Sequence, residues 1–309
     1  MPYFGLKIII FFILCLSLLI IIFIVSKNEC NTYKLSNFTI NNTKNIDRLT
    51  IIFLSDYHNK KYTKNIENLL YDIKKVNPDY IILGGDFINF SKFQSLKNKL
   101  GIDNTYIFIK KLLQLFNDSN DYNLKRIFFS FGNHELRLKN RFDNINFKKE
   151  YEEFVKYLTD NNILILDNNS YNISTNISIY GLSLYEGYYN KLFSRKPTYK
   201  HIDYKVLIEY FKNFDESKFN IVSFHKPDYA EDLINFGFDL VLSGHYHGGL
   251  INFPVFGPII SPDLKLFPKY SLGHYIYNMK SIIVSSGIGE HFLKIRINNK
   301  PEVVIINIV

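Results

Sequence analysis

Five short stretches of this chain carry side chains able to hold a hard or borderline cation: Asp56 and His58 in SDYHN, Asp86 in GGDFIN, Asn133 and His134 in GNHE, His225 in SFHKP, and His245 with His247 in SGHYHGG. Carboxylate, carboxamide and imidazole, with no thiol among them, suit manganese, iron, zinc or magnesium and disfavour a thiolate zinc site. Two such ions need an anionic bridge to sit about 3.5 to 4 Å apart, the spacing at which a metal pair clamps an in-line displacement. The set has two aspartates, and Asp86, between the two halves of the series, is the natural bridge. In an extended segment residues i and i+2 point the same way, so His245 and His247 should converge on one spot while Tyr246 faces elsewhere. Taken singly, an Asp-x-His or a His-x-His is an ordinary polar loop as readily as a site.

What makes them a set is the kind of element each one follows. Short β-branched and aromatic runs read as strands: Leu49 to Leu54, Tyr80 to Leu83, Ile127 to Phe131, Ile163 to Leu166, Ile177 to Tyr180, Phe219 to Phe224, Phe238 to Leu242, Ser281 to Val284 and Val303 to Val309. Helical stretches alternate with them at Lys64 to Val76, Thr105 to Phe116, Phe147 to Asn161, Tyr204 to Phe211 and Tyr229 to Phe236. That alternation predicts an α/β domain, and each candidate ligand falls just past the end of a strand, where a parallel or mixed sheet gathers such residues along one edge.

In this order the blocks resemble the calcineurin-like metallophosphoesterase superfamily, whose pattern runs D-x-H, G-D, G-N-H-[DE], H and G-H-x-H. The later IIVSSGIG, Arg296 and PEVVIINIV extend the likeness to a bacterial membrane-anchored phosphodiesterase subgroup, which includes enzymes acting on nucleotide-linked lipids. The resemblance implies a layered sandwich of mixed central sheets flanked by helices. It implies one divalent ion on Asp56, His58, Asp86 and His247, and a second on Asp86, Asn133, His225 and His245, with manganese first in order and iron, zinc or magnesium as alternatives. It implies hydrolysis of a phosphoester or anhydride by a hydroxide held between the ions, with His134 as the acid to the leaving oxygen or as a charge stabiliser. Glu135 would then orient His134 or lie on the surface. Leu250, Glu135, Asn89 and Ser286 depart from residues common in relatives, which bears on substrate contacts. Two other readings stay open: a non-catalytic scaffold of the same fold, which would have lost ligands, and a nuclease, which would call for a concentrated basic groove.

At 309 residues, 47% hydrophobic and 17% aromatic, the chain has ample material for one core. Ile8 to Val25 is 18 residues without a charge between Lys7 and Lys27. As a helix it would be about 27 Å long, enough to cross a hydrocarbon core. No small-x-small site follows, so it reads as an uncleaved anchor, with a cleaved signal peptide as the alternative. The lysines flanking it leave its orientation a tie. The expected organisation is an anchor over 1–27, a polar linker or edge segment over 28–47 and a catalytic domain over 48–309. Beyond the anchor Cys30 is the only thiol, so no disulfide can form within the domain. The net charge of +8 is spread along the chain, which favours a solvated surface or attraction to anionic lipid over nucleic acid. The expected partners are a phosphorylated, lipid-linked or nucleotide substrate and membrane lipid. His201, His274 and His291 lie outside the pattern and read as surface or core histidines. The apolar, proline-stiffened Phe253 to Pro268 is either plain packing or a segment bordering the cleft and touching the bilayer.

Overall fold

The apolar runs assemble into two six-stranded sheets packed face to face. A computed structural model describes residues 2–309 apart from 43, 45, 62–65, 91–99, 118–123, 141–144, 190–199, 250, 254–256, 262, 264 and 291–294. In the first sheet the order is β1 (Lys34–Ile40), β14 (Glu302–Ile308), β2 (Leu49–Leu54), β3 (Tyr80–Leu83), β4 (Arg126–Ser130) and β5 (Leu164–Leu166). The second runs β12 (Gly273–Tyr277), β13 (Lys280–Val284), β9 (Leu240–Ser243), β8 (Phe219–Ser223), β7 (Ile177–Gly181) and β6 (Asn169–Asn172). Strands β2 to β5 are mutually parallel, and so are β7, β8, β9 and β13, so the segments leaving β2, β3, β4, β8 and β9 emerge at strand C-terminal ends.

Alternation along the strands builds the layers. Ile51, Phe53, Ile82 and Phe128 of the first sheet meet Ile179, Ile221, Leu240 and Leu242 of the second in one core between the sheets. The intervening Ile52, Leu54, Ile81 and Leu83 face outward and are covered by helices. Helix α2 (Ile66–Val76) shows why: Ile66, Leu69, Leu70 and Ile73 recur at helical spacing and all four are buried. Helices α3 (Asp103–Asn117) and α5 (Ile145–Asp160) flank the first sheet's outer core, and α6 (Tyr204–Tyr210) and α7 (Ala230–Phe236) contribute Leu207, Leu233 and Ile234 beside Val222 and Val241. The expected layered α/β architecture is therefore present.

Some elements were not visible as apolar runs. Strands β1, β6 and β12 are half-polar edge or near-edge strands whose side chains are only partly covered. Helix α4 (Asn133–Lys139) begins within GNHE, outside the expected helical stretches; Glu135, three residues past the capping Gly132, accepts its amide hydrogen. The segment 28–47 is no free tether. Helix α1 (Pro2–Cys30) runs through its start, and β1 follows after only Asn31, Thr32 and Tyr33. From Lys7 to Cys30 this helix is long and apolar enough to cross a membrane, and its apolar window is not buried by the rest of the chain.

Phe53 lies directly beneath the turn that carries Asp86, since a Cβ on Gly84 would come within 2.1 Å of its ring. Phe53→Ala is expected to lower the unfolding free energy by about 3–5 kcal/mol, read from urea denaturation of the full chain in mild detergent.

Candidate metal centre

Every expected site residue is delivered to the same edge of the sandwich. Asp56 and His58 follow β2, Asp86 follows β3, Asn133 and His134 open α4 after β4, His225 follows β8, and His245 and His247 follow β9. Three overlapping triads result: Asp56 with His58 and His247, His58 with Asp86 and His134, and Asp86 with His225 and His245. Within each, the candidate ligand atoms lie inside 4.8 Å of one another. Asp86 Oδ2 is the hub, 3.1 Å from His225 Nε2 and 3.9 Å from both His58 Nε2 and His134 Nε2. Asp56 Oδ1 lies 3.4 Å from His247 Nε2 and 3.6 Å from His225 Nε2.

The backbone does not place these groups as an extended segment would. Asp56, His58, Asp86, His245 and His247 all have φ between 50° and 68°, in the left-handed region that costs a non-glycine residue about 1–3 kcal/mol. The expectation that His245 and His247 converge on one spot is corrected accordingly: the segment curls, sending His247 to His58 and Asp56, and His245 to His225. Glycines let the loops press in. A Cβ on Gly132 would stand 2.2 Å from Asp86 Oδ1, and one on Gly244 would stand 2.2 Å from Asp56 Oδ2.

Hydrogen bonds at the outer atoms fix what faces the centre. His225 Nδ1 lies 2.9 Å from the carbonyl of Gly84 and can only donate to it, so in the neutral ring the Nε2 lone pair points at two carboxylates. That arrangement is repulsive unless a cation intervenes. Burial opposes a charged His225, but Asp86 and Asp56 outweigh it and raise the group to about 10. Burial and the neighbouring His134 push His58 down to about 4, and its Nε2 lies 3.0 Å from His247 Nε2, so between these rings one nitrogen donates and the other accepts. Asn133 Oδ1 is buried without a hydrogen-bond partner. Desolvation would raise Asp86, yet His225, His134 and His58 hold it well below the usual carboxylate range. A lone pair on His225, the carboxylates of Asp56 and Asp86 and an unsatisfied amide oxygen converging on one spot fit divalent cations.

His134 differs in kind. Its Nδ1 accepts the amide hydrogen of Phe90 at 2.9 Å, so the neutral ring carries its proton on Nε2 and presents a donor to the centre. Its own amide donates to Asp86 Oδ1 at 2.8 Å.

Three supporting residues escaped sequence reasoning or were misjudged by it. Glu135 neither orients the His134 ring nor lies on the surface: it is fully buried, and its two oxygens accept the amides of Asp86, Phe87, Ile88 and Gly132. It ties the Asp86 turn to the start of α4. Asp263, inside the apolar Phe253 to Pro268 segment, accepts from His245 Nε2 at 2.9 Å and from the buried Lys226 at 2.8 Å. Burial opposes its charge, but His245 and Lys226 keep it well below the usual range. With Nε2 so engaged, His245 turns Nδ1 to the centre. Asn299 donates to the carbonyls of His247 and Gly249 at 2.6 and 2.7 Å. A lone carboxylate in an apolar run was the only signal for Asp263, and Asn299 had none. Of the histidines outside the pattern, His201 is exposed and pairs with Asp232, His274 bonds Ser281, and His291 lies outside the described residues.

Residues 49–249 match the family model described as calcineurin-like phosphoesterase, the span that carries all eight site residues. The chain belongs to that family and is a metal-dependent phosphoester hydrolase. Among its relatives is the uncharacterized metallophosphoesterase YkoQ of Bacillus subtilis, 23% identical over 299 residues, covering 94% of this chain and 98% of that one. Phosphodiesterase YaeI of Escherichia coli is 30% identical over 89 residues, covering 29% of this chain and 32% of that one. Among solved structures, phosphopantetheinyl hydrolase of Mycobacterium tuberculosis aligns over 75% of this chain and 87% of its own, at 12% identity and a TM-score of 0.40.

Because Glu135 accepts four amides, Glu135→Gln sets an NH₂ donor against backbone donors. The expected loss is about 2 kcal/mol or more of stability, seen as a lower urea midpoint, together with weaker metal uptake as the Asp86 turn loosens.

Proposed function

We propose that the chain is a membrane-anchored phosphodiesterase or pyrophosphatase acting on a lipid-linked or nucleotide substrate. Asp56, His58, Asp86 and His247 would hold one divalent ion, and Asp86, Asn133, His225 and His245 would hold a second. The observation that carries this reading is the position of Asp86 Oδ2, which faces imidazoles from both sheets at 3.1 and 3.9 Å and so suits a bridge. The oxygen and nitrogen donor set favours manganese, with iron, zinc or magnesium as alternatives. The ions supply a water made nucleophilic near neutral pH and positive charge for the phosphoryl oxygens.

The chain's own residues do the rest. His134, its Nδ1 committed to Phe90, directs the Nε2 hydrogen into the centre, where it donates to the leaving oxygen or to a phosphoryl oxygen. Asp263 and Lys226 hold the His245 ring in one tautomer, and Glu135 keeps the Asp86 turn and the His134 helix in register. All seven expected ligands are present, which speaks against a scaffold that has lost its chemistry. The phosphodiesterase reading draws support from the name of the Escherichia coli relative, and the anchor from the apolar length of α1.

The test uses the full chain in detergent, stripped with a chelator and reloaded with Mn²⁺, with bis(p-nitrophenyl) phosphate as substrate. Stripping should abolish turnover and lower the melting temperature, and reloading should restore both. Asp86→Ala should lose bound metal and turnover together. His134→Ala should keep its metal and lose about a hundredfold or more in rate. A His134→Ala protein turning over at the parent rate removes that role, and a metal-loaded parent inert on every phosphodiester and pyrophosphate offered removes the reading.

A further inference from the structure

The end of α1 is built into the frame of the metal centre. Ser26 and Cys30 are buried in the domain. The Ser26 hydroxyl accepts the Arg296 amide at 3.0 Å, Glu29 accepts the Asn299 amide at 2.8 Å, and the Cys30 carbonyl accepts from Lys60 at 2.6 Å. Asn299 in turn holds the carbonyls of His247 and Gly249, and Lys60 is two residues past His58. Two hydrogen bonds thus separate the membrane helix from the backbone of His247.

Topology puts the helix on the same edge as the chemistry. Lys34, at the start of β1, pairs with Glu302 at the start of β14, and Val304 pairs with Phe53 near the end of β2. Strand β1 therefore begins where β2 ends, beside Asp56, and α1 arrives there three residues earlier. A crevice of about 560 Å³ between α1 and the domain is lined by Leu19, Ile22 and Phe23 on α1 and by Glu290 and Ile295 on the domain. Leu19 lies about 10 Å below Ser26 along the helix, well inside the apolar stretch.

An apolar rim continues outward from this junction. Strands β10 (Asn252–Phe253) and β11 (Gly257–Pro258) pair with each other. The Asn252 amide donates to Ile297 beside Arg296, Ile259 donates to Ile251, and Phe267 donates to Ile259. At ordinary strand spacing this ladder spans roughly 15 Å from Ile297, whose neighbour Arg296 bonds Ser26 of α1. It carries Phe253, Leu266 and Phe267, which are 46%, 65% and 62% exposed. Three large apolar side chains on one ladder, continuous with a membrane helix and following directly on GHYHGG, are more than scattered surface hydrophobics.

We propose that α1 and the Phe253, Leu266 and Phe267 rim seat the metal centre on the bilayer surface, so that its substrates are phosphoesters carried by membrane amphiphiles. This rests on the hydrolase reading for its substrate and on geometry alone for its surface. The occupant of the rim is the headgroup and upper acyl region of the bilayer, reached by the same edge that α1 leaves.

The chain contains no tryptophan, so a single introduced one reports its own surroundings. Full-length Leu266→Trp and Phe253→Trp are reconstituted in phosphatidylcholine and phosphatidylglycerol vesicles with or without brominated phosphatidylcholine. Met279→Trp is the control, because Met279 is 92% exposed at the β12–β13 turn, beside the N-terminal end of β13 and so on the opposite edge. The rim tryptophans should emit at shorter wavelength and lose about half their emission to brominated lipid, with the control unaffected. In a second arm, Leu266→Glu with Phe253→Glu should cut turnover of a vesicle-borne p-nitrophenyl phospholipid about tenfold while bis(p-nitrophenyl) phosphate turnover stays within about twofold. Rim tryptophans quenched no more than Met279→Trp overturn the proposed surface, as do Glu variants that hydrolyse both substrates at the parent rate. A parent inert on both substrates defeats the hydrolase reading instead, and the quenching still decides the surface.

Discussion

Two carboxylates and several imidazole lone pairs held together out of water repel one another, and the arrangement around Asp86 and Asp56 exists in spite of that. Buried Asp86 faces His225 at 3.1 Å, and His225 cannot turn away because its other nitrogen is bound to the Gly84 carbonyl. Positive charge at the centre reconciles these groups, and a divalent cation supplies more of it than a proton on His225 can. The left-handed residues, the glycines pressed against carboxylate oxygens and the fully buried Glu135 all serve to hold that repulsive cluster in place. Each is unfavourable locally, and they persist because two packed sheets over-determine their positions.

The outer partners divide the histidines by role. Two of those proposed to hold ions turn a nitrogen lone pair to the centre by virtue of their outer partners: His225 through Nε2, and His245 through Nδ1 once Asp263 has taken Nε2. His134 has the reverse arrangement, with an acceptor nitrogen occupied by Phe90 and a donor turned inward. One side-chain type therefore presents two kinds of atom to the centre, and the distinction lies in the partner that each ring's outer nitrogen takes.

Coupling between α1 and the centre changes how the two halves of the chain relate. A helix on a flexible tether would leave the domain free to tumble, whereas here Ser26, Glu29 and Cys30 are hydrogen-bonded into it and β1 follows after three residues. The segment from 28 to 47, read as a linker or an edge segment, supplies the edge strand β1, whose side chains are mostly half-covered or exposed, and that is why its sequence carries no apolar run.

The residue types, their order and their placement after strand-like runs were enough to determine an α/β fold and to name the eight side chains that gather at one edge of it, because periodicity and donor chemistry are local properties of a chain. The direction each side chain takes was not local. Extended geometry suggested that His245 and His247 converge, but glycines and contacts from the other sheet curl that segment and part them. Asp263, Lys226 and Asn299 gained their roles only through partners 18 or more positions away, and Glu135 revealed its task only once its four amides surrounded it. That α1 enters on the catalytic edge follows from β14 running antiparallel to β2 and parallel to β1. Strand pairing between distant segments has no signature in either segment alone, so only the assembled sheets could decide it.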